Sequence, residues 1–194
     1  VACGTAFYAC YVAKYWFETI ARLPVEVDVA SEFRYREPPV SPGTLALFVS
    51  QSGETADTLA ALRYMRDKAD VIAGLVNVPE SSIARESDVV LPIHAGPEIS
   101  VASTKAFTCQ LTVLLLLALK AAEAKGQPLP KGMPEDLRAL PGLIHQCLGA
   151  EAQIAAASRD LASARDIIFL GRGQLYPLAL EGALKLKEIS YIHA

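Results

Sequence analysis

Five short apolar runs, at residues 25–30, 45–50, 71–78, 89–93 and 167–171, carry little polar alternation and are rich in Val, Ile and Leu. A strand with one wet face alternates apolar and polar residues, so runs without alternation suit strands covered on both faces. Between them lie stretches with helical character, at 6–23, 55–69, 81–86 and 103–125. Strand–helix–strand alternation predicts an α/β fold, a parallel sheet flanked by helices on both sides.

Residues 126–134 (GQPLPKGMP) hold three prolines and two glycines and read as a linker. Two helical stretches follow, then the run at 167–171, a turn, and a helix from about Pro177 to Ser190. This order predicts a first α/β unit over 1–125 and the beginning of a second, similar unit over 135–194. Val1 and Ala2 resemble the last two residues of a strand, and residues 191–194 offer no Gly or Pro to stop a helix. The expectation is a fragment of a longer protein, truncated in its first strand and in its second unit.

The 194 residues suffice for one large domain, or for one domain and part of another. With 18 basic and 21 acidic residues, the net charge of −3 leaves no basic footprint for nucleic acid and no polybasic membrane signal. A small anion remains compatible, because backbone N–H groups at a helix start can hold one. Cys3, Cys10, Cys109 and Cys147 show neither CxxC spacing nor a dense disulfide pattern, which points to thiols in a reducing compartment. No signal peptide is visible. The most apolar run, at 111–119, is shorter than the roughly 20 residues of a membrane span. The expected setting is the cytoplasm, with no membrane contact.

Ligands of an open parallel sheet bind at the carboxyl ends of its strands. Four such ends carry loops of small hydroxyl residues or glycine: Cys3-Gly4-Thr5, residues 50–55 (SQSGET), residues 100–104, and Gly171-Arg172-Gly173. In the second, Ser50, Ser52 and Thr55 place three hydroxyls at a helix start, and Gly53 lets the backbone approach a ligand. Helix-start N–H groups and the positive dipole end favour an anion there. Helix capping is the competing reading, but it needs only one hydroxyl, so phosphate binding is preferred. For residues 100–105 capping is the better local reading. The glycine pair at 171 and 173 lacks the third glycine of a dinucleotide fingerprint, because Tyr176 stands in its place. No P-loop occurs anywhere.

Glu181, Lys185 and Glu188 follow i, i+4, i+7 spacing and share one helix face. By spacing alone a surface ion pair is favoured; a carboxylate base beside an ammonium group is the alternative. His94, His145 and His193 lack metal-ligand spacing, and no metal or cofactor is expected.

Read together, Cys3-Gly4-Thr5, ASEFRYRE (30–37), SQSGETADTL (50–59), VASTKAFTCQL (101–111) and LEGALKLKEISYIHA (180–194) closely resemble the isomerase part of the glucosamine-6-phosphate synthase family. The SQSGET loop alone would point only to a sugar-isomerase (SIS) domain; the other segments narrow the resemblance. It implies two SIS domains of flavodoxin-like three-layer type, each with five parallel strands, and a site built across a homodimer. It implies fructose 6-phosphate, glucose 6-phosphate and glucosamine 6-phosphate as ligands. Ser50, Gln51, Ser52 and Thr55 would hold the phosphate, while Cys3, Gly4, Thr5, Val101 and Ser103 would line the sugar. Glu188 would be the base moving a proton between C1 and C2, with Lys185 and Glu181 beside it. A positioned carboxylate suits C–H abstraction next to a carbonyl, and an ammonium group can steady the enediol oxygens.

Ala6 departs from the serine that relatives commonly carry there, which removes one hydroxyl from the phosphate end. The resemblance also implies a glutaminase domain that supplies ammonia, a ring-opening histidine distinct from His193, and a Schiff-base lysine, all beyond these 194 residues. Two other readings stay open: a non-catalytic sugar-phosphate sensor, and a glutamine-independent deaminase or isomerase of amino-sugar phosphates.

Overall fold

The computed structural model describes residues 1–194. Its centre is a three-stranded parallel sheet in the order β1 (Leu45–Ser50), β2 (Val71–Val76), β3 (Val89–Pro92). Leu45 pairs with Val71 and Ala73 with Val89, so the three carboxyl ends lie along one edge. Two more segments extend the sheet beyond β1 without being full strands. Val1 donates to the Leu47 carbonyl at 2.8 Å and accepts from the Val49 amide at 3.1 Å. On its far side Ala2 forms a single parallel bridge with Val29.

The five segments therefore stand, in chain order, as 2-1-3-4-5, the flavodoxin-like arrangement. The run at 25–30 was expected as a strand. It forms one rung only, because its partner is the two-residue segment Val1-Ala2. The run at 167–171 is likewise no strand. Its only ladder contact is one bridge at its start, Asp166 to His193; Phe169 lies against Gly182 of the following helix, and Ile168 and Leu170 are exposed.

Alternation along the strands feeds two cores. Phe48, Ile72 and Val76 point to one face, where α2 (Ala30–Arg36), α3 (Ala56–Met65) and α4 (Ser82–Arg85) cover them with Phe33, Leu62, Met65 and Ile83. Val49 and Leu75 point to the other face, against α1 (Gly4–Trp16) and α5 (Lys105–Ala124). A wider, π-helical turn (Phe17–Ala21) prolongs α1 and ends at Arg22 in the left-handed conformation. Burial on both faces is why these strands are uninterrupted apolar runs.

The 20-residue helix α5 is long and apolar enough, by length and composition, to cross a membrane. The shorter run at 111–119 understates it. Its packing is that of a core helix: Ala106, Gln110, Leu114, Ala118 and Ala122, spaced by four, form a buried stripe that faces α1 and the sheet.

Beyond α5, α6 (Met133–Leu148) and α7 (Glu151–Leu161) bury no residue. The chain then returns in α8 (Leu175–Ser190), which runs antiparallel along α1. Trp16 donates to the Gln174 side chain at 3.0 Å, and Tyr11 meets Tyr176 edge-on at 6.0 Å between ring centres. Leu114→Ala should cost about 2–4 kcal/mol, whereas Leu116→Ala, on the half-exposed face, should stay within about 0.5 kcal/mol. Denaturant unfolding of both variants checks this, and equal small effects would mean that α5 is not a core helix.

Candidate functional site

The break in strand order lies between the Val1-Ala2 segment and β1. Connections leave the sheet toward opposite faces there, opening a crevice at the carboxyl ends. A cavity of about 190 Å³ occupies that place, lined by Cys3, Thr5, Ala6, Val49, Ser50, Gln51, Ser52, Thr55, Ser103 and Gln110. Seven of the sequence-derived candidates thus meet in one cavity, drawn from three separate connections.

Each wall has a local cause. Cys3 is extended, and Gly4, at φ +53°, turns the chain out of the sheet into α1, which leaves Thr5 at the rim. In the β1–α3 connection the hydroxyls of Ser50 and Thr55 lie 2.8 Å apart, and Ser50 Oγ accepts from the Gly53 amide at 3.0 Å. Gly53 has φ +67°, and a Cβ there would fall 1.9 Å from Ser81 Oγ. Both the backbone conformation and the packing therefore demand glycine. Thr55 is the N-cap of α3 by position, yet its side chain makes no capping hydrogen bond. The first N–H groups of α3 are left without intrahelical partners beside the cavity, as helix starts require. Glu54, next to them, is held below the usual carboxylate range by the Ser82 amide, which it accepts at 2.7 Å.

The third wall comes from α5. Its N-cap by position, Thr104, also makes no side-chain cap; the Glu98 carboxylate accepts from the Ala106 amide at 3.1 Å instead. Ser103 lines the cavity, but Val101 is 99 % exposed and lies outside its lining. Gln110 was absent from the sequence-derived set. Its signal was present all the same, as the one polar side chain in the stripe of alanines and leucine spaced by four along α5.

Glu181, Lys185 and Glu188 do not line this cavity but stand behind Thr5 on its wall, because α8 runs antiparallel to α1. Its later turns therefore lie beside the start of α1. Lys185 Nζ donates to Thr5 Oγ1 at 2.9 Å and to Glu188 at 2.6 Å, and stands 3.5 Å from Glu181. Thr5 in turn donates to Glu181 Oε1 at 3.1 Å. The three charged residues are therefore one network, joined to the cavity by a single hydroxyl.

The network is graded in burial. Glu181 is 7 % exposed at its side chain, Lys185 20 % and Glu188 35 %. Burial raises Glu181 above the ordinary carboxylate range; the Lys185 charge and the Thr5 hydroxyl oppose that rise only in part. Tyr8, below it, is also raised, first by burial and then by the Glu181 charge. The arrangement supplies a cluster of neutral hydrogen-bonding groups at one end. At the other it supplies an ammonium group with a buried and an accessible carboxylate. No group of three or more His, Cys, Asp or Glu residues has metal-binding geometry.

Because the folded chain holds the Glu181 proton more tightly than the unfolded chain, its burial carries no ionisation cost below the unfolded value near 4.5. The cost grows as pH rises from there through the raised folded value. Glu181→Gln, which cannot ionise, should gain stability relative to the parent across that window. Melting temperatures of both proteins against pH check this, and a constant offset would show that Glu181 titrates normally.

The SIS-domain family profile matches residues 1–120 and 160–194. The glutamine–fructose-6-phosphate aminotransferases (isomerizing) of Bradyrhizobium diazoefficiens and Brucella abortus are 61 % and 60 % identical over the whole chain. The chain spans 32 % of the length of each. Among solved structures, the C-terminal domain of glucosamine-fructose-6-phosphate aminotransferase from Francisella tularensis superposes on the whole chain with a TM-score of 0.96 at 46 % identity. This match covers 56 % of that structure. A glucosamine-6-phosphate deaminase from Thermotoga maritima superposes on 99 % of the chain and covers 57 % of its own, with a TM-score of 0.82 at 25 % identity. A sheet wound in this way opens a cleft at its strand-order break, and the 50–55 loop walls that cleft here. The match over most of its length shows that the chain belongs to the SIS-domain family.

Proposed function

We propose that these residues are the sugar-phosphate-isomerising part of a glutamine–fructose-6-phosphate aminotransferase, which forms glucosamine 6-phosphate. The observation that carries this reading is the Thr5 hydroxyl, which ties the hydroxyl-lined cavity to the Glu181–Lys185–Glu188 network. In this reading Ser50, Gln51, Ser52 and Thr55 hold the phosphate of fructose 6-phosphate. Their hydroxyls and the free N–H groups of α3 serve as donors. The sugar extends past Cys3, Gly4, Thr5 and Ser103, with Val101 on the loop before α5, toward α8.

Glu188, the most accessible carboxylate of the network, takes the proton from C1 and returns it at C2, converting a ketose framework into an aldose. Lys185 faces the oxygen on which negative charge develops. Held by Thr5 and Glu188, it needs no reorganisation to do so. Glu181 holds Thr5 and Lys185 in place from the buried side. Ammonia arrives from a glutaminase domain of the same protein, the enzyme works as a homodimer in the cytoplasm, and 126–134 separates two SIS units.

A glutamine-independent deaminase is the second reading, supported by the likeness to the Thermotoga maritima structure. It separates from the first by whether glutamine supports turnover. A purely sensory module has no use for an ammonium group locked between two carboxylates.

Two outcomes check the proposal in the full-length protein. Ser52→Ala should weaken glucose 6-phosphate binding by about 1–3 kcal/mol, as loss of a charge-assisted hydrogen bond would. Calorimetric titration reads this directly, and unchanged affinity would place the phosphate elsewhere. Glu188→Gln should still bind sugar phosphate but lose about 10²–10⁴-fold in kcat. Exchange of the C1 and C2 hydrogens with solvent, undiminished in that variant, would mean the base is another group.

A further inference from the structure

One polar side chain at the cavity has no explanation in packing. Gln110 is 1 % exposed, lines the cavity, and its Oε1 finds no hydrogen-bond partner within the chain. Its neighbours along the helix stripe, Ala106 and Leu114, are buried apolar residues that serve the core beside α1. An apolar side chain of the same length would fill this position at no polar cost. A buried amide without a partner is instead a standing penalty, and such groups in native proteins call for a specific cause.

The surroundings supply the cause. No cationic side chain lines the cavity; Thr5, Ser50, Ser52, Thr55 and Ser103 give hydroxyls, and Gln51 and Gln110 give amides. Within the cavity itself a ligand meets only neutral hydrogen-bonding groups, the Lys185 charge standing behind Thr5. A donor or acceptor that is itself buried, as Gln110 is, then weighs most, because it has no water to fall back on. Ser50 and Thr55 already spend part of their capacity on each other, and Ser50 also accepts from Gly53. The Gln110 amide keeps its capacity uncommitted.

We propose that Gln110 is a ligand-binding residue of this site, its side-chain amide hydrogen-bonding the bound sugar phosphate from the α5 wall of the cavity. The inference rests on the sugar-phosphate reading of the cavity and adds to it a residue from a different element. Gln110 sits in the interior of α5, with Ala106 and Leu114 one turn away on either side, so the helix fixes its place on the wall opposite the 50–55 loop. One amide offers both a donor and an acceptor, which suits a ligand rich in hydroxyls and phosphate oxygens. An analogue that cannot answer it leaves the amide buried and unpaired, so the position discriminates as well as binds.

The test compares Gln110→Met, nearly isosteric and without the amide, with the parent and with Ser52→Ala, all as full-length protein. Glucose 6-phosphate affinity is read by calorimetric titration, and the melting temperature of the ligand-free protein is read alongside. Gln110→Met should bind about tenfold more weakly or worse, with the ligand-free melting temperature unchanged or raised, since a buried unpartnered group has been removed. Unchanged affinity, or a lowered melting temperature in the ligand-free protein, overturns the inference and makes Gln110 a packing residue. If Ser52→Ala is also without effect, the sugar-phosphate reading itself fails; if Ser52→Ala weakens binding while Gln110→Met does not, only this inference falls.

Discussion

A parallel sheet forces every connection back across one of its faces, so the carboxyl ends of all its strands share one edge. Everything else in this chain follows from that constraint. The loops after Ala2, β1 and β3 meet only because β1 pairs in parallel with β2 on one side and with Val1 on the other. Where the order reverses, α1 and α3 leave toward opposite faces and a crevice stays open between them. Thr5, Ser50 and Thr55 are far apart in sequence, and their meeting is a property of the winding.

The second requirement is that chemistry reach the crevice. The sheet contributes hydroxyls and backbone N–H groups but no titratable side chain to the cavity wall, Cys3 apart. Charge is brought by α8, laid antiparallel on α1 by the Trp16–Gln174 and Tyr11–Tyr176 contacts. Thr5 is the point of connection. Its hydroxyl accepts from Lys185 and donates to Glu181, so the orientation of the ammonium group and the state of the buried carboxylate are coupled to a residue on the cavity wall. Burial keeps Glu181 proton-hungry while Lys185 and Glu188, a turn further along, stay closer to solvent.

Much of this was legible in the sequence, for identifiable reasons. Uninterrupted apolar runs such as 45–50 and 71–78 are what strands covered on both faces need, and β1 fills the first while β2 takes up 71–76 of the second. The three hydroxyls and Gly53 of the 50–55 loop were visible as a cluster. The structure adds that Gly53 is required twice over and that Thr55 does not spend its hydroxyl on capping. The runs at 25–30 and 167–171 misled because strand formation depends on a partner: each has the right composition, yet the first makes a single rung at Val29 and the second has one only at Asp166, just before it. Spacing alone made Glu181, Lys185 and Glu188 a surface ion pair, since nothing local reveals that the helix lies against Thr5. Gln110 was missed because the apolar periodicity around it hides one polar residue in five. Val101, reached only through the family likeness, stands exposed outside the cavity.

The central claim is that one crevice holds a sugar phosphate with its phosphate at residues 50–55 and its carbonyl end at the Thr5–Lys185–Glu188 network. A crystal structure of the full-length protein with glucose 6-phosphate tests it most directly. The account predicts phosphate oxygens within about 3 Å of the Ser50, Ser52 and Thr55 hydroxyls or the first amides of α3, and C1–C2 within hydrogen-bonding reach of Lys185 and Glu188. A ligand bound in the opposite sense, with its phosphate against Lys185, or seated away from the 50–55 loop, would contradict it.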